Sequence, residues 1–139
     1  MKGRIFVIGA SLSGIDALYE LVSKLPRTYP APIFVAPHVA SHSPGMRPHL
    51  LSKAGPLPAL YAKTASLFEP GVIYVARPDR HMLLQKAYIR LSHGPHENLA
   101  RPAIDPLFRS AAAAYGAAVV GQTCRVAGRA GQSGLGLAA

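Results

Sequence analysis

Ser11, in the stretch RIFVIGASLSG (Arg4 to Gly14), and His38, closing the stretch IFVAPH, are the residues of this chain whose types suit covalent chemistry. A free serine hydroxyl is protonated and weakly nucleophilic at neutral pH, and an imidazole within hydrogen-bond reach activates it. Such a pair is recognised by its geometry, so the two residues can lie far apart in the chain. His38 alone reads as a loop residue, and Ser11 alone as a helix cap. Ser13, however, stands three residues before Asp16 in a capping-box pattern, which predicts that Ser13 caps the helix and leaves Ser11 for another task.

The elements that must position the pair follow from the apolar pattern. Ile5 to Ile8, bounded by Gly9, reads as a buried strand, and Ile15, Leu18, Leu21, Val22 and Leu25 share one face of the helix that follows. After the Pro-rich loop PRTYPAP, IFVAP reads as a second strand stopped by Pro37. Strand, helix and strand make a βαβ unit with parallel strands, whose carboxyl ends share one edge of a sheet where ligands bind. Ser11 and His38 are then predicted to face one crevice, with helix N-terminal N–H groups beside Ser11. The His-rich segment HVASHSPGMRPHLLSKAGPLP is expected to hold a short helix at Met46 to Lys53. Strands are expected at Leu57 to Ala62 and Val72 to Ala76, joined by a turn at Pro70 and Gly71. HMLLQKAYIRLS reads as a hairpin turning near Gln85 and Lys86, AIDPLFRSAAAAYG as a helix stopped by Gly116, and AAVVG as the start of a further strand.

With 139 residues, half of them apolar, the chain reads as one soluble, cytoplasmic domain with enough sequence to bury a core. No apolar stretch approaches the roughly 18 residues of a membrane helix, and the start of the chain lacks a signal-peptide pattern. Cys124 is the one cysteine, which excludes an internal disulfide and a cysteine-based metal cluster. The formal net charge of +9 favours acidic partners, but the bases are scattered and Trp is absent, so a solvated basic surface is expected and not a nucleic-acid face.

The motifs, taken in order, are VIGASLSG, VAPHVA, PGVIYVARPDRHM, RLSHGPHEN and RPAIDPLFRSAAAAYG. From about Ile5 to Gly121 this succession resembles the catalytic domain of the chemotaxis protein-glutamate methylesterases, the CheB type. The resemblance implies an α/β fold: a doubly wound, mainly parallel sheet with helices on both faces and an appended β-hairpin, here incomplete at its C-terminus. It implies a serine hydrolase that removes methyl esters from glutamates of chemoreceptor cytoplasmic domains and, in many members, deamidates receptor glutamines. The family nucleophile falls on Ser11 and its general base on His38. Arg101 and Asp105, in RPAID, are expected to shape the substrate cleft; the alternative is an exposed loop arginine and a helix N-terminal aspartate. No cofactor, metal, nucleic acid or membrane insertion is implied, and a phosphorelay regulator acting in trans is a further expected partner. The family's amino-terminal receiver domain has no counterpart in these residues.

The pattern breaks at the end. Residues 1–121 read as the catalytic domain and 122–139, QTCRVAGRAGQSGLGLAA, as a divergent or frameshifted tail of the same domain. The family's triad aspartate falls on Ala130, and no acid follows Asp105. Gln122, Thr123 and Arg125 stand where an apolar core strand is expected. Read one base forward, degenerate codons for QTCRVAGRAGQ can spell VVL-x-GALD, a segment of the expected kind. Two other readings stay open: a domain that keeps the fold for interaction only, and a nucleotide-binding module. Gly9 to Gly14 has the G-x-x-x-x-G skeleton of a phosphate loop, but Ile15-Asp16 replaces its Lys-Ser/Thr.

Overall fold

The computed structural model describes residues 3–38, 46–97, 100–124 and 135–138. Its centre is a six-stranded sheet in the order β3-β4-β2-β1-β7-β8. The strands are β1 (Ile5–Ser11), β2 (Ile33–His38), β3 (Ala59–Tyr61), β4 (Ile73–Val75), β7 (Val119–Cys124) and β8 (Leu135–Ala138). All neighbours run parallel except β8, which pairs antiparallel with β7. A separate antiparallel hairpin is formed by β5 (His81–Gln85) and β6 (Tyr88–Ser92). The helices are α1 (Ile15–Ser23), α2 (Pro48–Ala54) and α3 (Ile104–Tyr115).

β1 and β2 are apolar up to their last residues, Ser11 and His38, because both faces of the sheet are covered. Phe6, Ile8, Ile33, Val35, Ile73 and Val75 meet Leu18 and Val22 of α1 and Leu51 of α2 on one face. Ile5, Val7, Phe34 and Tyr74 meet Leu107 and Ala111 of α3, with Met82, Leu84 and Ile89 of the hairpin, on the other. Period-two alternation along each strand therefore divides the core into two layers. Backbone contacts tie the hairpin to α3. The Leu84 N–H donates to Ser110 Oγ at 2.9 Å, and the Ala87 N–H to the Tyr115 hydroxyl at 2.8 Å.

Three details differ from the sequence reading. The second strand continues through Pro37 to His38. Val35 accepts the last bond from this side of the sheet, from the Ala76 N–H, so the amide hydrogen that Pro37 lacks would point where β4 has already ended. The predicted strands around Ala59 and Ile73 are parallel neighbours, so Pro70 and Gly71 end a longer connecting loop instead of forming the whole junction, with Gly71 at φ +77°. That loop pairs with β6 through Ala65 and Ser66, both bonded to Ile89. The strand in doubt at Gln122 and Thr123 is formed: β7 runs to Cys124 and lies against β1 over its whole length. Gln122, where the divergent tail of the domain is expected to begin, thus lies within a strand that starts before it.

Candidate active site

The site begins with the register of β1 and β2, in which Ser11 is the direct partner of His38. Parallel strands lie about 4.8 Å apart, so both residues leave the sheet side by side at its carboxyl edge. Each is half-buried. Ser11 is followed by a 3-10 turn, Leu12–Gly14, and then by α1, whose N-cap is Gly14 with no side-chain cap bond. The capping role expected of Ser13 is not what the fold uses. Ser13 lies inside the 3-10 turn, its hydroxyl 3.0 Å from that of Ser11. The turn and the start of α1 thereby place backbone N–H groups beside Ser11, with no side-chain cap bond from Gly14.

The N-terminus of α3 approaches the same edge. A Cβ on Gly9, two residues before Ser11, would lie 2.5 Å from Ile104 Cγ2, so the absence of a side chain at Gly9 lets α3 sit directly on β1. Asp105 is exposed in the first turn of this helix.

Arg101 is neither an exposed loop residue nor an open cationic arm. Its side chain is 17% exposed and its guanidinium is occupied: Nη2 lies 2.8 Å from Asp79 Oδ1, Nε donates to the same carboxylate and to the Asp79 carbonyl, and Nη1 donates to the carbonyls of His93 and Gly94. Arg101 thus clamps the loop after β4 to the loop after the hairpin. Its guanidinium holds the Asp79 carboxyl below the usual carboxylate range. Arg109 and Glu97 form a two-pronged pair on the surface, which is worth less. Arg101→Ala is therefore expected to lower the thermal midpoint more than Arg109→Ala. A depressed Asp79 contributes stability above its unfolded value and loses it on acidification, so the Arg101→Ala deficit narrows as pH falls below about 4. Melting curves at pH 7 and pH 3 check both statements.

Cys124 closes β7 beside Ala10, but burial pushes its thiol up to about 11, which keeps it out of thiolate chemistry at neutral pH. His81, read from the sequence only as the start of the hairpin, is buried and bonded through Nε2 to the Pro95 carbonyl at 2.7 Å. Among the described residues, no group of three or more His, Cys, Asp or Glu is gathered as a metal ion would need. A hollow of about 510 Å³ opens at the opposite edge of the sheet, lined by Arg4, Ile5, Phe68 and Tyr115, and touches neither Ser11 nor His38. Ala130, the position expected to correspond to the family's aspartate, lies outside the described residues.

A mainly parallel α/β sheet with a hydroxyl and an imidazole in register at its carboxyl edge defines the class of the molecule, and comparison with known proteins narrows it. The chain matches the CheB methylesterase family over residues 6–136. It is 40% identical over 136 residues to a protein-glutamate methylesterase/protein-glutamine glutaminase of Anaeromyxobacter dehalogenans, covering 96% of this chain and 40% of the relative. A putative protein of the same name from Leptospira interrogans is 31% identical, with 97% of this chain and 70% of the relative covered. The CheB methylesterase catalytic domain of Thermotoga maritima superposes with a TM-score of 0.82 at 28% identity, covering 96% of this chain and 73% of that one. The chain belongs to the CheB methylesterase family. It spans about two fifths of the length of the Anaeromyxobacter relatives it matches. Among the described residues, no helix is long and apolar enough to cross a membrane.

Proposed function

We propose that this chain hydrolyses glutamate methyl esters of chemoreceptor cytoplasmic domains, with Ser11 as nucleophile and His38 as general base, and that it acts in the cytoplasm under a phosphorelay regulator in trans. The observation that carries the reading is the register that makes Ser11 and His38 neighbours beside the start of α1. In the mechanism, His38 takes the Ser11 proton as Oγ attacks the ester carbonyl. N–H groups of the turn after Ser11 hold the developing oxyanion, and His38 gives the proton to the departing methoxide oxygen, which leaves as methanol. Water, deprotonated by His38, then cleaves the acyl-enzyme to the free glutamate and restores the serine. The same steps with ammonia as the leaving group deamidate a glutamine. Arg101 enters as a positioning residue, setting the loops of the cleft wall, and Asp105 as a carboxylate on its rim.

No acid follows Asp105 in the chain, and Asp79 is engaged by Arg101. That observation favours a second reading, a domain that keeps the fold and acts by interaction alone. A fluorophosphonate probe separates the two. Labelling of the wild type and none of Ser11→Ala is the result expected of the hydrolase; an unlabelled but folded wild type would leave the interaction reading.

A further inference from the structure

Beyond His38, the carboxyl edge of the sheet continues to the ends of β4 and β3, where a hollow of about 390 Å³ is lined by Lys63, Thr64, Arg77, Pro78, Arg80 and Leu91. Its charged lining is wholly cationic. The chain has six acids, Asp16, Glu20, Glu69, Asp79, Glu97 and Asp105, and all lie among the described residues. Their ion pairs go to Lys24, Arg101 and Arg109, so Lys63, Arg77 and Arg80 are neutralised by none of them.

The local backbone separates the charges. Asp79 takes φ +62°, an uncommon conformation for a residue with a Cβ, and its carboxylate is held by Arg101. Arg80, its neighbour, instead lines the hollow and bonds through Nε to His93. Arg77 is fixed by its own contacts: Nε donates to the Ala62 carbonyl at 2.9 Å, and the guanidinium lies over the Tyr61 ring at 5.4 Å. A guanidinium anchored at Nε is preorganised to offer its remaining N–H groups to a carboxylate.

We infer that this hollow is a carboxylate-binding subsite, which takes acidic side chains of the peptide flanking the ester. The inference rests on the proposed esterase reading, since it is Ser11 that fixes where the ester lies. From the end of β1 to the end of β4 is two strand spacings, about 10 Å, and to β3 about 14 Å. On a substrate helix that is roughly seven to ten residues of rise, so acids two or more turns from the ester reach the hollow. The remaining bases of the chain are scattered, which favours a compact acidic peptide over the continuous backbone of a nucleic acid.

The test uses a fluorescent helical peptide with a central norleucine in place of the ester and glutamates on either side, against the same peptide with glutamines. Anisotropy at low salt should show the wild type binding the acidic peptide at least tenfold more tightly. In Lys63→Gln/Arg80→Gln that preference should fall to about twofold or less, while Lys86→Gln, at the opposite edge, retains it. Lys63→Gln alone, at an exposed position, gives an intermediate ratio and guards against misfolding of the double variant. The inference is overturned if the wild type shows no preference, if the double variant keeps it, or if a DNA oligonucleotide of equal charge binds more tightly than the acidic peptide. Fluorophosphonate labelling read in parallel keeps the two ideas apart: failure of labelling with an intact tenfold preference sinks the esterase reading alone, and the reverse sinks the subsite alone.

Discussion

His38→Gln is expected to lower ester hydrolysis by only about a hundredfold. In a serine hydrolase with a complete triad, removing the nucleophile or the base costs roughly 2 × 10⁶ in kcat, while removing the orienting acid costs roughly 3 × 10⁴. These losses are not additive, because the residues act as a unit. Without an orienting acid most of what the base supplies is already forfeited, and the quotient, on the order of 10², is what His38 has left to lose. No acid follows Asp105, and the Asp79 carboxylate is held by Arg101. The wild type should accordingly turn over about 10⁴ more slowly than a relative with its aspartate in place. Steady-state rates on a small ester, for the wild type, His38→Gln and Ser11→Ala, decide the matter. A loss near 10⁶ in His38→Gln would mean that another carboxylate orients the imidazole, with Asp16 and Asp105 the first to replace. No loss at all would separate Ser11 from His38 and remove the dyad.

Much of this was legible because the governing interactions are local or set by topology. Ile33 to Ala36 read as a buried strand since both faces of the sheet are covered, and parallel pairing then forces the ends of β1 and β2 to one edge. The hairpin showed itself by its two short apolar runs about Lys86 and Ala87, and α3 by Gly116, which takes φ +53° at its end. What stayed hidden depends on partners distant in the chain. The role of Arg101 is defined by one carboxylate and three carbonyls that only the folded loops bring together. The persistence of β7 through Gln122 and Thr123 has a different cause. Ladder bonds are made by the backbone, and these half-buried side chains need not be apolar for the strand to pair with Ile8 and Gly9. Ser13 misled because its spacing to Asp16 fits a cap, while a 3-10 turn intervenes and moves the N-cap to Gly14.

Gly9→Ala should destabilise the fold by roughly 1–3 kcal/mol, the cost of overpacking a filled interior, although alanine suits a strand better than glycine does. The reason is Ile104. A Cβ at Gly9 would lie 2.5, 2.7 and 2.9 Å from its Cγ2, Cγ1 and Cδ1. Because every carbon beyond Cβ is involved, rotating one branch away brings another in, and the strain passes to the helix backbone. The start of α3 must then lift from β1, and with it the segment from Arg101 to Asp105. Ile104→Ala removes the obstructing atoms at the cost of some packing of its own. The double variant Gly9→Ala/Ile104→Ala should therefore be more stable than the sum of the two single losses by about 1 kcal/mol or more, since residues in contact couple. Denaturant midpoints for the four proteins measure that coupling, and strict additivity would show that the two positions do not touch. Labelling of Ser11 supplies the functional half of the cycle. It should slow in Gly9→Ala, where the helix is displaced two residues from Ser11, and recover in the double variant, so that the fit of one glycine to one isoleucine governs both the stability of the fold and the shape of the edge that carries Ser11.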